Sequence, residues 1–282
     1  MKKIVLFITI ILLLAAGHAE IKAQGNRTNS SKYTDKAITP KTHVIEPAIL
    51  EVKYNVIYGK DRDVYALRCG KNVSQFINLY FLRCDSLSTS PDPAIKRMLF
   101  QEYKESLINK RNGMTSQLPN SPGKLDYLYW NLKPGKLSVY TSLNSIDSGV
   151  DCVIEDTPTI NWEICEDTVQ TILGYTCHRA TAKFRGREWE VWYADDIPTS
   201  LGPWKLNGLP GLILQAFSGD FISYLACSIE TKGLTPVTFY NYLKLKYEPI
   251  SWEDYFKADN DPKSYRPGIK MTPERKLERE LE

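Results

Sequence analysis

Alternating apolar and polar residues mark most of the chain from residue 46 onward. Between Ile49 and Tyr58 every second side chain from Leu50 to Val56 is apolar, which is the two-residue period of a β-strand with one buried face. The segment 188–193 alternates in the same way, with Trp189, Val191 and Tyr193 on one face. The pattern therefore predicts a β-rich body.

Short turns separate these segments, so neighbouring strands are expected to pair locally and antiparallel. We expect strands at 49–58, 64–68, 73–83, 127–130, 136–140, 161–165, 168–173, 175–184, 188–193, 212–217 and 221–229, with turns at 61–63, 166–167, 185–187 and 218–220. Helical spacing over 93–109 predicts one amphipathic helix after Asp92 and Pro93, and 252–256 could form a second, short one. The predicted fold class is mainly β: an antiparallel curved sheet or an open half-barrel with one or two helices.

The N-terminus has the layout of a secretory signal peptide. Lys2 and Lys3 precede an apolar run from Ile4 to Ala16, which is too short for a membrane span. Cleavage is expected near Ala19 or Ala23, so the mature protein is predicted to be periplasmic or secreted without stable membrane insertion. An uncleaved N-terminal anchor is the alternative.

The expected domain organisation follows from composition. It consists of a signal peptide (1–23), a polar disordered leader (24–45), one β-rich domain (46–258) and a polar C-terminal tail (259–282). The Gly/Pro-containing stretch 111–124 is a surface loop or a lid.

Charge argues against some partners. The formal net charge is +3, and it falls to +1 when Lys2 and Lys3 are removed with the signal. Such a weak charge does not build the field of a nucleic-acid-binding protein. We therefore expect no nucleic-acid partner.

Six cysteines lie beyond the signal, and an even count in an exported chain favours disulfides. The candidates are Cys69, Cys84, Cys152, Cys165, Cys177 and Cys227. A Cys69–Cys84 bridge is weakly preferred among the fifteen possible pairings. No pair has the close spacing of a zinc site, so neither a metal nor a cofactor is expected.

A Gly-Leu-Pro-Gly turn leads into an apolar run. The motif consists of Gly208, Leu209, Pro210, Gly211, Leu212 and Ile213. Glycines at a tight turn before three apolar residues predict a pivot at which a strand begins inside the core. Close approach of a ligand is the alternative. The motif offers no nucleophile or base, and it lacks the features of a phosphate loop.

Upstream residues complete a wider pattern, listed here as they stand: Trp162, Gly174-Tyr175, Cys177, Trp189, Trp192-Tyr193, Ile197-Pro198 and Gly202-Pro203. With the hexapeptide, this pattern resembles the GLPGLI family of bacterial envelope proteins. The resemblance implies a shared fold and export in a bacterium of the Bacteroidetes type, but no established biochemistry. The sheet content also resembles periplasmic lipoprotein-carrier half-barrels.

Few residues could support catalysis. A hydrolase would have to use His178, or the carboxylates Asp195 and Asp196. Because a strand histidine more often packs or faces solvent, the sequence favours a protein that is not an enzyme, with a hydrolase as an alternative.

Aromatic residues suggest binding instead. Four of them could line a concave face and hold an apolar ligand: Tyr127, Tyr129, Trp189 and Trp192. Packing in the core is the competing interpretation. The sequence thus favours a non-enzymatic periplasmic binding or carrier protein in outer-membrane transport or assembly, or else a module that docks on an outer-membrane transporter.

Overall fold

A computed structural model of the chain describes residues 38–59, 61–112, 126–144 and 149–261. Its strands are β1 (His43–Glu46), β2 (Leu50–Tyr58), β3 (Asp61–Cys69), β4 (Ser74–Asn78), β5 (Tyr127–Trp130), β6 (Leu137–Asn144), β7 (Gly149–Asp156), β8 (Glu163–Ile172), β9 (Tyr175–Phe184), β10 (Arg187–Ala194), β11 (Leu212–Ser218), β12 (Ile222–Glu230), β13 (Val237–Phe239) and β14 (Glu248–Ile250). The helices are α1 (Leu79–Ser88), α2 (Pro93–Arg111) and α3 (Trp252–Asn260).

Twelve strands of these described ranges form one sheet, in the order β14-β7-β6-β5-β4-β3-β2-β12-β11-β10-β9-β8. Strands β2–β7 and β8–β12 are two antiparallel meanders, and they join where β2 pairs with β12. Only β14 runs parallel to its neighbour, β7, among the described pairings. The prediction of a mainly β fold with an open, curved antiparallel sheet is confirmed.

The main hydrophobic core lies on one face of the sheet and draws on both meanders. Val52, Tyr54 and Leu137 come from the first meander, and Val191 and Trp189 come from the second. Helix α3 packs on β6 and β7 and adds the buried Tyr255 to this core. The alternation seen in the sequence therefore identifies the inward-facing residues correctly.

A second cluster covers the opposite face of the first meander. It is rich in tyrosine, and Tyr129, Tyr140 and Tyr247 pack there around Phe239 of β13. Strand β1 pairs with β13. Residues 43–45, the last of the predicted leader, therefore belong to a β-strand in the structure.

The Gly-Leu-Pro-Gly turn behaves as the sequence predicts for a pivot into the core. Leu212, Ile213 and Leu214 are all 0% exposed. A Cβ on Gly211 would lie 2.1 Å from the carbonyl oxygen of Ala194, so only glycine fits this close backbone approach. A Cβ on Gly202 would lie 2.7 Å from the Cβ atom of Ile213.

Three local predictions are wrong. The turn predicted at 61–63 belongs instead to β3, which begins at Asp61 and pairs with β2 from that residue onward. The stretch 73–83, predicted as one strand, ends as β4 at Asn78, whose side chain accepts a hydrogen bond from the backbone N–H of Phe81 and begins α1. The turn predicted at 166–167 is instead an irregularity within the continuous strand β8, where the register with β9 shifts between Cys165 and Val169.

The predicted disulfides are also wrong. All six cysteines lie within the described ranges, and no two of them are joined by a disulfide. Cys69 and Cys84, the preferred pair, stand on β3 and α1, because the chain turns helical after Asn78.

The predicted signal peptide lies outside the described residues, as do most of the 111–124 loop and the tail after residue 261. No helix among the described residues is long and apolar enough to cross a membrane.

Candidate functional site

His178 and Asp195, two candidate residues of the hydrolase hypothesis, come together in the structure. His178 lies on β9, and Asp195 directly follows β10, which pairs with β9. The imidazole Nε2 is 3.7 Å from the carboxylate Oδ2, and the two side chains are 28% and 56% exposed. The Tyr193 ring lies 5.8 Å from the imidazole. A carboxylate beside a solvent-accessible imidazole is the arrangement of an acid–base pair.

Two residues that adjoin the pair in the sequence, Asp196 and Cys177, do not take part in it. Asp196 is exposed beside this pair. Cys177 is fully buried, and its Sγ lies 3.6 Å from the carbonyl oxygen of Tyr175. Burial raises the pKa of this thiol to about 11, so it is a neutral core side chain at physiological pH and not an activated nucleophile.

A polar surface lies on the opposite face of the sheet from His178, because Arg179 directly follows His178 on β9 and consecutive strand residues point to opposite faces. The register places Arg179 opposite Trp192, and Trp192 opposite Gln215, so these three side chains share one face of the sheet. Arg179 donates from Nη2 to Glu190 Oε2 at 2.6 Å, and its Nη1 lies 3.8 Å from the sulfur of Cys165. We call the set Gln170, Arg179, Glu190, Trp192 and Gln215 the Trp192 face.

Gln170 joins this face from the edge of the sheet. Its Nε2 donates to Oε1 of Gln215 at 3.3 Å, although β9 and β10 lie between their strands. Three strand spacings amount to about 14 Å, so both amide side chains must extend across the face toward one another. The amides therefore border the part of the face that carries Trp192.

The four aromatic residues predicted to bind a ligand are not brought together. Trp189 is 1% exposed in the main core, and Tyr127 and Tyr129 are buried in the tyrosine-rich cluster on the covered face. Trp192 alone of the four is partly exposed. The structure thus leaves it as the one member of the set on an accessible face.

A buried charge cluster lies next to the Gly-Leu-Pro-Gly loop. Asp156 accepts from Nη2 of Arg185 at 2.9 Å and from Nζ of Lys205 at 2.9 Å. The ring of Trp252 covers both cations, with Lys205 Nζ 4.1 Å from the ring centroid. Burial alone would raise the pKa of Asp156, but the two cations outweigh it and the pKa is lowered. Each of these three charged side chains is nearly fully buried, so the loss of any one of them would leave buried charge without its partner.

Asp85 of α1 is a second unusual acid. It accepts a hydrogen bond from the hydroxyl of Tyr127 at 2.5 Å. Burial raises the pKa of Asp85 to about 6, against the opposing effect of that hydrogen bond. Sequence reasoning missed it because 73–83 was predicted as strand, which gave no reason to place position 85 against β5.

The described residues contain no group of three or more His, Cys, Asp or Glu side chains arranged to hold a metal ion.

One family model matches the chain, over residues 130–248: the N-terminal domain described as "N-glycanase peptide, N-terminal domain". This segment includes the His178–Asp195 pair and the whole Trp192 face. No match is found among curated protein sequences.

Two solved structures resemble the chain, both of PNGF-II in different crystal forms. One is 14% identical with a TM-score of 0.47, covering 79% of this chain and 34% of the PNGF-II chain. The other is 13% identical with a TM-score of 0.46, covering 79% and 33%. The chain thus spans about a third of the length of PNGF-II.

These findings correct the sequence-based interpretation. The assignment to the GLPGLI family was wrong, because the matching family is that of the N-glycanase N-terminal domain. The same match contradicts a non-enzymatic carrier and favours the hydrolase alternative. A transporter or an apolar ligand as partner stays a prediction.

Proposed function

We propose that the protein is a hydrolase of the N-glycanase type, which acts on the linkage between an N-linked glycan and its peptide. The observation that carries the proposal is the family match over 130–248, inside which the partly exposed His178 lies beside the exposed Asp195. A glycoprotein substrate outside the cytoplasm agrees with the export signal predicted at the N-terminus, and we propose a periplasmic or secreted location.

The pair suits the chemistry of hydrolysis. Cleavage requires a group that takes a proton from water and a group that returns one to the departing fragment. An imidazole can do both near neutral pH, and a carboxylate beside it stabilises the imidazolium form. We assign the proton transfer to His178 and its orientation to Asp195, which lies 3.7 Å away. Separations of this size in an unliganded site often shorten when substrate binds.

The test is glycan release from a denatured N-glycoprotein by the full chain and its variants. His178→Ala is expected to lower the rate at least a hundredfold, because general acid–base catalysis contributes about 10²–10⁴-fold. Asp195→Asn should lower it less, since it removes orientation and charge but leaves the imidazole.

Asp196→Asn is the matched control, because this exposed carboxylate stands next to Asp195 but is not paired with His178 among the described contacts. It is expected to retain the wild-type rate. Release that is undiminished in His178→Ala would refute the assignment, and release that falls equally in all three variants would show that the pair has no special role.

A further inference from the structure

One side of helix α2 packs on the rest of the protein. Ser106 is 2% exposed, and Ile95 and Leu99, which lie on the same side of the helix, are half-buried. Glu102 accepts two hydrogen bonds from the guanidinium of Arg83 on α1, at 2.7 and 2.8 Å. These contacts determine which side of α2 is turned outward.

The outward side of α2 carries large apolar residues where a surface helix usually carries polar ones. Phe100 is 41% exposed, Leu107 45% and Ile108 48%, and Tyr103 at their edge is 56% exposed. At about 100° per residue, Phe100, Leu107 and Ile108 lie within about one third of the helix circumference. Single exposed apolar residues are ordinary, but four neighbours on one helix indicate an interaction surface.

Basic residues stand among these apolar side chains. Lys96, Arg97 and Lys104 are exposed and fall on the same side of α2. Both acids of this helix lie elsewhere, with Glu102 turned toward α1 and Glu105 on the flank. We call the four apolar side chains and the three cations together the outer face of α2.

The combination of charge and apolar surface selects among possible occupants. A second copy of the chain would bring the three cations of one α2 against those of another, which is unfavourable. A nucleic acid would pair with the cations but would leave the apolar side chains in water. The surface of an anionic bilayer satisfies both requirements, because its headgroups attract the cations and the acyl region just beneath accepts the apolar side chains.

We propose that the outer face of α2 binds the surface of an anionic lipid bilayer, with the helix axis parallel to the membrane. The helix lies on such a surface and does not cross it, while the long lysine and arginine side chains reach the headgroups. This agrees with the periplasmic or secreted location proposed above. It does not depend on the hydrolase assignment, because α2 (Pro93–Arg111) lies outside the family match over 130–248.

The experiment is co-sedimentation of the chain from residue 24 onward with phospholipid vesicles. Leaving out residues 1–23 removes the predicted signal, whose apolar run would itself bind lipid, and keeps every described residue. Vesicles of phosphatidylcholine with about 30 mol% phosphatidylglycerol are compared with vesicles of phosphatidylcholine alone. We expect a partition coefficient at least about tenfold higher for the anionic vesicles, and a fall as salt is raised from about 0.1 to about 0.5 M, because salt screens the cations.

Two sets of substitutions separate the apolar contacts from the charge. Phe100→Ser together with Leu107→Ser should lower the partition coefficient at least about tenfold at unchanged charge. The triple variant Lys96→Gln, Arg97→Gln, Lys104→Gln should lower it about a hundredfold on anionic vesicles, since each cation near such a surface contributes roughly fivefold.

The matched control is the triple variant Lys183→Gln, Lys232→Gln, Lys246→Gln, which removes the same charge from exposed positions outside α2. Its partition coefficient should stay within about threefold of the wild-type value, because these lysines are not on the outer face of α2. Circular dichroism should show all variants folded.

The proposal is overturned if the wild type does not bind anionic vesicles or binds both kinds of vesicle equally. It is also overturned if neither set of α2 substitutions weakens binding, or if the control weakens it as much as the cation set does. Sedimentation velocity without lipid examines the rival occupant. A dimer that Phe100→Ser with Leu107→Ser dissociates would assign the outer face of α2 to self-association instead.

Discussion

At the scale of single residues, burial changes the pKa of Asp85 and thereby the stability of the protein. The pKa of Asp85 is raised from 3.8 to about 6, first by desolvation, because the carboxyl group of α1 lies against Tyr127 of β5. The folded protein therefore holds this proton more tightly than the unfolded chain does. The stabilisation is complete below about pH 4 and is lost as the pH rises through 6.

Asp85→Asn should remove this pH dependence, since an amide stays neutral and can still accept from the Tyr127 hydroxyl. We expect the variant to gain stability relative to the wild type between pH 4 and 7, by up to about 3 kcal/mol. Thermal unfolding across that range measures it. Tyr127→Phe removes a hydrogen bond that lowers the pKa of Asp85, so the loss of stability should continue to higher pH in that variant. The same dependence of stability on pH in the wild type and in Asp85→Asn would contradict the account.

At the same scale, the sequence singled out His178 and Asp195 as alternative candidates but did not show that they lie together. His178 and Asp195 stand out because histidine is scarce and a carboxylate follows a strand. Arg179 and Gln215 were not singled out, because their place beside Trp192 depends on the register of three strands. Cross-strand register is a tertiary property, and a shift of one residue would turn each side chain to the other face.

At the scale of elements, the turn before β11 is the most constrained segment. Gly211→Ala would bring a methyl group to 2.1 Å from the Ala194 carbonyl oxygen, which lies in backbone that cannot easily move. We expect the free energy of unfolding to fall by more than about 3 kcal/mol, or the protein not to fold.

Gly174→Ala is the matched control: a Cβ there meets no atom within 4 Å, and only the positive φ of 88° is strained. That variant should fold and lose about 1 kcal/mol in urea denaturation. Equal losses would show that crowding at Gly211 is unimportant.

The elements themselves could be predicted where alternation was regular. β2, β9, β10 and β11 agree with the expected strands to within a residue or two at each end. The error at α1 arose because Tyr80 and Phe81 favour strands by type, while the side-chain cap at Asn78 and packing on β3 and β4 favour a helix. The error at β8 arose because two acidic residues resemble a turn, although the strand absorbs them as an irregularity in register.

At the scale of the whole described domain, the Asp156 cluster (Asp156, Arg185, Lys205 and Trp252) connects parts of the chain that are distant in sequence. It joins the end of β7, the β9–β10 turn and the loop before the Gly-Leu-Pro-Gly turn, and α3 covers it through Trp252. Asp156→Asn would leave Arg185 and Lys205 buried without this carboxylate. We expect a loss of about 3–5 kcal/mol at neutral pH, measured by urea denaturation.

The pH dependence of that loss has a definite sign. Because the folded-state pKa of Asp156 is lowered, its contribution is present above the unfolded value and is lost as the pH falls through the folded one. The difference in free energy of unfolding between the wild type and Asp156→Asn should therefore become smaller at acidic pH. Glu188→Gln, which breaks an exposed contact with Lys183, should cost less than about 0.5 kcal/mol at every pH, and a comparable loss there would refute the role of burial.

The central claim is that this chain cleaves N-linked glycans, and one measurement addresses it directly. A synthetic peptide bearing a single N-linked glycan is incubated with the full chain, and both products are followed by mass spectrometry beside a reaction with an active N-glycanase. The account predicts that free glycan and glycan-free peptide accumulate in equal amounts and that His178→Ala stops both. A peptide that stays intact with the wild type, while the reference enzyme completes the reaction, would contradict it.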